Sequence, residues 1–111
     1  MKIRTQDYNG VTVVELQGEL DADFTEMLQD TITSTVAEHI AGIVLDMSGV
    51  AFVDSRGLEL LLWARDYCNQ SRTQLRLAGL DENFTKILEV TRLENEFDHY
   101  VELAEAVKSF A

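Results

Sequence analysis

The residues of this chain best placed to do chemistry are Asp54, Ser55, Arg56 and Gly57, which stand where an apolar run ends and the longest apolar helix pattern begins. The first turn of a helix leaves backbone N–H groups without partners and carries the positive end of the helix dipole. A hydroxyl at that position can receive a phosphate at low energetic cost. The same residue types also serve as N-caps, with Asp54 or Ser55 accepting a bond from an orphan N–H. Acyl-transfer chemistry asks for more than a hydroxyl: a base within hydrogen-bond reach and an acid to orient it. The imidazoles are His39 and His99, far from Ser55 in sequence, and Val53 stands where a nucleophile elbow has glycine. The expectation is a binding or modification site and no enzyme.

Composition narrows the setting. With 111 residues, 46% hydrophobic and 26% charged, the chain suits one ordinary globular domain, expected to span residues 1–111. The single cysteine, Cys68, cannot form an internal disulfide and falls on the apolar side of a helix pattern, so it reads as a small core residue. No metal-ligating cluster is spelled out, and no cofactor is expected. A formal charge of −11 repels phosphate backbones and anionic lipid, which leaves a protein with a basic patch as the expected partner. No apolar run is long enough to span a bilayer and no signal-peptide pattern opens the chain, so membrane insertion is not expected and a cytoplasmic location is.

The elements that must position Ser55 follow from the pattern. Lys2 to Asp7 reads as an edge strand, and Asn9-Gly10 predicts a tight hairpin that returns Val11 to Gln17 antiparallel to it. Gly18-Glu19-Leu20-Asp21 ends that strand, and Asp21 or Asp23 can cap a helix from about Ala22 to Ala37 with Phe24, Met27, Leu28, Thr31, Ile32, Thr35 and Val36 on its buried face. Its β-branched second half must be held by packing, since propensity disfavours it. Ile43 to Leu45 reads as a central strand covered on both faces, Asp46 ends it, and Ser48-Gly49 predicts a turn before the apolar Val50 to Val53. A second helix runs from Ser55 to about Asn69. At about 100° per residue, Leu60, Leu61, Ala64, Tyr67 and Cys68 share one side, while Leu58 and Leu62 lie off that stripe beside Glu59, Arg65 and Asp66. These two leucines fit either a wide core stripe or a partly exposed docking patch. Gln74 to Ala78 reads as a strand. Asp81 caps a third helix with Phe84, Ile87, Leu88 and Thr91 inward, His99 to Val101 as a last strand, and Leu103, Ala106, Val107 and Phe110 mark a closing helix.

The order is ββαβαβα followed by a final strand and helix. Alternation after a hairpin predicts an α/β layer fold: a mixed, mostly parallel sheet with an N-terminal antiparallel edge and helices packed on it. Loops at the carboxyl ends of parallel strands gather at one edge, which should bring the Gly18 to Asp23 loop beside the Asp54 to Gly57 turn.

The hairpin start, the Gly18-Glu19-Leu20-Asp21 loop and the segment LDMSGVAFVDSRGLELLLWARD together resemble the STAS domain, and within it the single-domain bacterial anti-sigma factor antagonists. The resemblance covers nearly the whole chain, and its specific part is Asp-Ser-x-Gly after a strand of the form LD-hydrophobic-S-x-V-x-F-hydrophobic. It implies a partner-switching protein. In that family the serine matching Ser55 is phosphorylated by an anti-sigma factor that doubles as a serine kinase, and a phosphatase resets it. Unphosphorylated antagonists of this type bind the anti-sigma factor through the Asp-Ser turn, the following helix and the loop that corresponds here to Asp21. Asp21, Asp54, Arg56, Gly57, Leu58 and Leu62 are the partner-binding residues expected on that footing. Arg56 departs from the pattern, since members commonly carry a small Ser or Thr there. The other role open to such a domain is constitutive docking in a lipid-transport or stress-signalling assembly, with Ser55 serving only as a helix cap.

Overall fold

The computed structural model describes residues 2–110. Strands β1 (Lys2–Tyr8) and β2 (Val11–Leu20) form the antiparallel hairpin, turning at Asn9 (φ 51°) and Gly10 (φ 86°), the paired positive φ angles that an Asn-Gly turn supplies. Strands β3 (Gly42–Val53), β4 (Gln74–Ala78) and β5 (Asp98–Tyr100) then add in parallel, giving one five-stranded sheet in the order β1-β2-β3-β4-β5. The connections are the helices α1 (Thr25–Val36), α2 (Ser55–Gln70) and α3 (Glu82–Val90), and α4 (Leu103–Lys108) closes the chain.

Alternate residues of β2 and β3 feed two cores, because successive side chains of a strand point to opposite faces. Val14 and Leu45, paired across the strands, join Leu28, Ile32, Leu61 and Leu88 under α1, α2 and α3. Val13 and Val44, the neighbouring pair, join Ala78 and Ala106 under α4 on the other face. The mixed sheet with its antiparallel edge is thus as the sequence predicts.

Several local expectations need correction. Ser48-Gly49 is no turn: β3 runs on through it to Val53. Asp46 Oδ1 accepts the Ser48 N–H at 3.1 Å and the Ser48 hydroxyl at 2.8 Å, and the register against β2 shifts so that Leu16 stands opposite both Met47 and Ser48. The extra residue is absorbed as a bulge and the ladder resumes. β2 likewise continues past Gly18 to Leu20. α1 starts three residues later than predicted, and neither Asp21 nor Asp23 caps it. Asp21 Oδ1 instead accepts the Asp23 N–H at 3.1 Å and its carbonyl takes the Phe24 N–H at 3.1 Å, closing a turn before the helix. Met27 is exposed, as are Thr91, which ends α3, and Val101, which lies beyond β5. The hydroxyls of Thr31, Thr33 and Thr35 bond back to the carbonyls of Met27, Gln29 and Thr31, while Ile32, Thr35 and Val36 are buried, so packing does hold the β-branched half of α1.

Candidate functional site

The turn that joins β3 to α2 is fixed from three directions by Asp54. Its backbone is extended (φ −97°, ψ −176°), its Oδ1 accepts the Gly57 N–H at 2.9 Å, and its carbonyl accepts the Leu58 N–H at 3.0 Å. Its own N–H donates to the Leu20 carbonyl at 3.2 Å, across from β2. Asp54 is therefore the N-cap of α2, and Ser55 is the first helical residue, exposed at the dipole's positive end. Of the two residues that could cap the helix, Asp54 is the one that does.

Gly57 explains how the two loops come together. It is buried, and a Cβ built on it would lie 2.4 Å from the Leu20 carbonyl oxygen and 3.0 Å from Leu20 Cγ. Only a residue without a side chain lets the first turn of α2 press against the end of β2. Leu20 pairs with Val53 in the last rung of the β2–β3 ladder, and half-buried Asp21 follows it directly. The Gly18 to Asp23 segment and the Asp54 to Gly57 turn are thus neighbours at one edge of the sheet.

Along α2, Leu60, Leu61, Ala64 and Cys68 are buried, Tyr67 is half-buried, and Arg56 is exposed beside Ser55. Leu58 and Leu62 are both half-buried and pack against the edge of the main core. They therefore give part of their surface to the fold and part to solvent. Trp63 and Tyr67 stack with ring centroids 5.1 Å apart and planes 14° from parallel. Arg65 pairs with Asp66 and with Glu96, and its guanidinium lies 5.9 Å from the centre of the Phe97 ring, which ties the solvent side of α2 to the segment before β5. Burial pushes the Cys68 thiol up to about 11, so it stays protonated and inert at neutral pH.

His39 follows α1 and precedes β3, whereas Ser55 follows β3, so twelve residues of strand separate them at opposite ends of the sheet. Among the described residues no group of three or more His, Cys, Asp or Glu side chains could hold a metal ion. No helix of the described residues is long and apolar enough to cross a membrane.

One feature of this edge is missing from the sequence-based expectations. Phe52, three residues before Ser55, is 54% exposed, and with Val50, Val53, Leu80, Phe84 and Ile87 it lines a groove of about 160 Å³ between the end of β3 and α3. The signal for it lies in Val50 to Val53: once β3 is carried through Ser48-Gly49, that apolar run is the last part of a strand, and Phe52 within it stays exposed.

Comparison with known proteins agrees with this geometry. The family model described as STAS domain matches residues 2–107. The anti-sigma-F factor antagonist RsfB of Mycobacterium tuberculosis is 31% identical over 94 residues, which cover 74% of this chain and 77% of the relative. The anti-sigma-B factor antagonist of Staphylococcus aureus is 24% identical over 95 residues, covering 86% of this chain and 88% of the relative. Among solved structures, an anti-sigma factor antagonist from Mycobacterium paratuberculosis superposes with a TM-score of 0.88 at 25% identity, covering 98% of this chain and 92% of that one.

Proposed function

The chain belongs to the STAS domain family, and from that premise we propose that it is an anti-sigma factor antagonist whose binding is switched by phosphorylation of Ser55. An anti-sigma factor that is also a serine kinase transfers the γ-phosphoryl group of ATP to the Ser55 hydroxyl, and a phosphatase removes it. The unmodified chain docks on the anti-sigma factor in the cytoplasm and the phosphorylated chain lets go. It acts as a binding module and not as a catalyst.

The observation that carries this reading is the division of labour at the start of α2: Asp54 caps the helix, and the Ser55 hydroxyl stands exposed at the first helical position. A phosphate there adds a charge of about −1.5 to −2, offset within the chain by the helix dipole and by exposed Arg56 next in sequence. A partner pressed over the same turn must desolvate that charge close to Asp54 and Asp21, and like charges so placed oppose docking. Gly57 keeps the turn against Leu20, and the solvent-facing parts of Leu58 and Leu62 extend the docking surface along α2. The experiment is phosphopeptide mapping after incubation with the cognate kinase and ATP. Label on Ser55 alone, abolished in Ser55→Ala, is expected; label on Ser48, or label persisting in Ser55→Ala, contradicts it.

A further inference from the structure

The groove between the end of β3 and α3 is lined by residues on both sides of the Ser55 turn and of α2 in the chain, none of them Arg56, Leu58 or Leu62, and the Ser55 switch makes no use of it. Phe52 (54% exposed) lines it from the end of β3, and Leu80, Phe84 and Ile87 line it from α3 and the residues just before it. It does not end there: Asn83 and Ile87 are shared with a shallower apolar surface that continues along α3 to Val90, which is 75% exposed. Water thus faces a continuous strip of apolar surface running from the end of β3 along the outer side of α3. Single exposed apolar residues are ordinary, but a contiguous strip with a concave end marks a surface that something covers.

The charges around the strip decide what that is. Asp81 lines the groove, Glu82 follows it at the start of α3, and Asp54 succeeds the lining residue Val53, while Lys86 stands toward the Val90 end. The chain as a whole carries −11. A second copy would bring the same charge to the same place, and nucleic acid or anionic lipid would be repelled in the same way. We propose that this strip is a second protein-docking site, where the groove takes one leucine- or phenylalanine-sized side chain from an amphipathic helix of a partner whose flanking residues are basic. The inference rests on the chain being a protein-docking module, and it adds an anchor on the α3 side of the phosphorylatable turn. Helix-in-groove recognition of this kind takes its affinity from the apolar anchors and its selectivity from the flanking charge.

The probes are three short synthetic helices: one with a leucine stripe and lysines on the other face, one with the same stripe and glutamates, and a scrambled lysine peptide without the stripe. Each is titrated into the full 15N-labelled chain while amide shifts are followed. The leucine-lysine helix is expected to shift Phe52, Leu80, Asn83, Ile87 and Val90 saturably, and to bind at least about tenfold more tightly than the other two. Phe52→Ala and Ile87→Lys should each weaken that binding severalfold while thermal melts show both variants folded, and Phe52→Ala alone decides the matter if Ile87→Lys does not fold. Equal binding of the scrambled lysine peptide, equal binding of the glutamate helix, or self-association of the chain with shifts at the same residues would each overturn the site. Shifts confined to Arg56, Leu58 and Leu62 would overturn it too, while leaving the Ser55 switch intact, and loss of Ser55 phosphorylation would remove the switch without touching the groove.

Discussion

Helices α2 and α3 begin with the same cap and then diverge. Asp54 and Asp81 are both extended, and each accepts the N–H of the third helical residue, at 2.9 Å from Gly57 and 2.7 Å from Phe84. At the first helical position α3 carries Glu82, a resident carboxylate that complements the dipole permanently, whereas α2 carries the neutral hydroxyl of Ser55. At the third position α3 sends the Phe84 ring into the core, whereas α2 has Gly57 pressed on the Leu20 carbonyl. α3 is thus a helix start completed once and for all. α2 has no acidic residue in its first turn, and its backbone is locked to the neighbouring loop through Gly57.

The largest expected effects are at the third positions of the two helices. Phe84→Ala should cost about 3–5 kcal/mol by opening the core, read as a loss of many degrees in melting temperature. Gly57→Ala should also destabilise, by about 1–3 kcal/mol, although alanine is the better helix former, because its Cβ meets backbone that cannot swing aside. A Gly57→Ala chain that melts higher than the parent would mean the α2 turn is not held against Leu20. Next in size, Leu62→Ala should weaken binding to the anti-sigma factor by roughly 1–3 kcal/mol in titration calorimetry while costing less stability than Leu61→Ala, which is buried beside it. Equal damage to stability with unchanged affinity would make Leu62 plain core.

Smaller effects are expected at the caps and at the first helical positions. Asp54→Ala and Asp81→Ala should each lose about 0.5–2 kcal/mol, the usual cost of an N-cap, but only Asp54→Ala should slow phosphorylation of Ser55 by the kinase. Equal slowing by both would show that the two caps are not functionally distinct. Smallest of all, Ser55→Glu should give α2 the carboxylate that α3 already has and raise stability by about 0.3–1 kcal/mol at low ionic strength, with Glu82→Ser losing a similar amount. A marked destabilisation by Ser55→Glu would mean that the α2 start does not tolerate an anion.

Much of this was legible in sequence, and the exceptions share a cause. The hairpin follows from Asn9-Gly10, β4 lies where the alternation of Leu75 and Leu77 puts it, and α2 starts at Ser55 because Asp54 has the chemistry of a cap. Ser48-Gly49 misled because serine and glycine punctuate chains locally, whereas here Asp46 takes both polar hydrogens of Ser48 and the sheet pairing carries β3 onward. Met27 has the right helical spacing for the core and still faces water, since the width of a buried stripe is set by what packs against it. Leu58 and Leu62 were ambiguous on the wheel and are half-buried in the fold for the same reason. The groove was only half legible: the apolar Val50 to Val53 supplies one wall, but the other comes from α3 and the residues before it, which meet β3 only in three dimensions.

The most direct test of the switch compares the phosphorylated chain with the unmodified one, by thermal melt and by calorimetric titration into the anti-sigma factor. Phospho-Ser55 protein should melt within a few degrees of the parent, because the α2 start accommodates an anion as the α3 start does with Glu82. Its affinity for the anti-sigma factor should fall at least about a hundredfold, roughly 2.7 kcal/mol. Binding that survives phosphorylation, or a collapse of melting temperature on phosphorylation, would contradict the account.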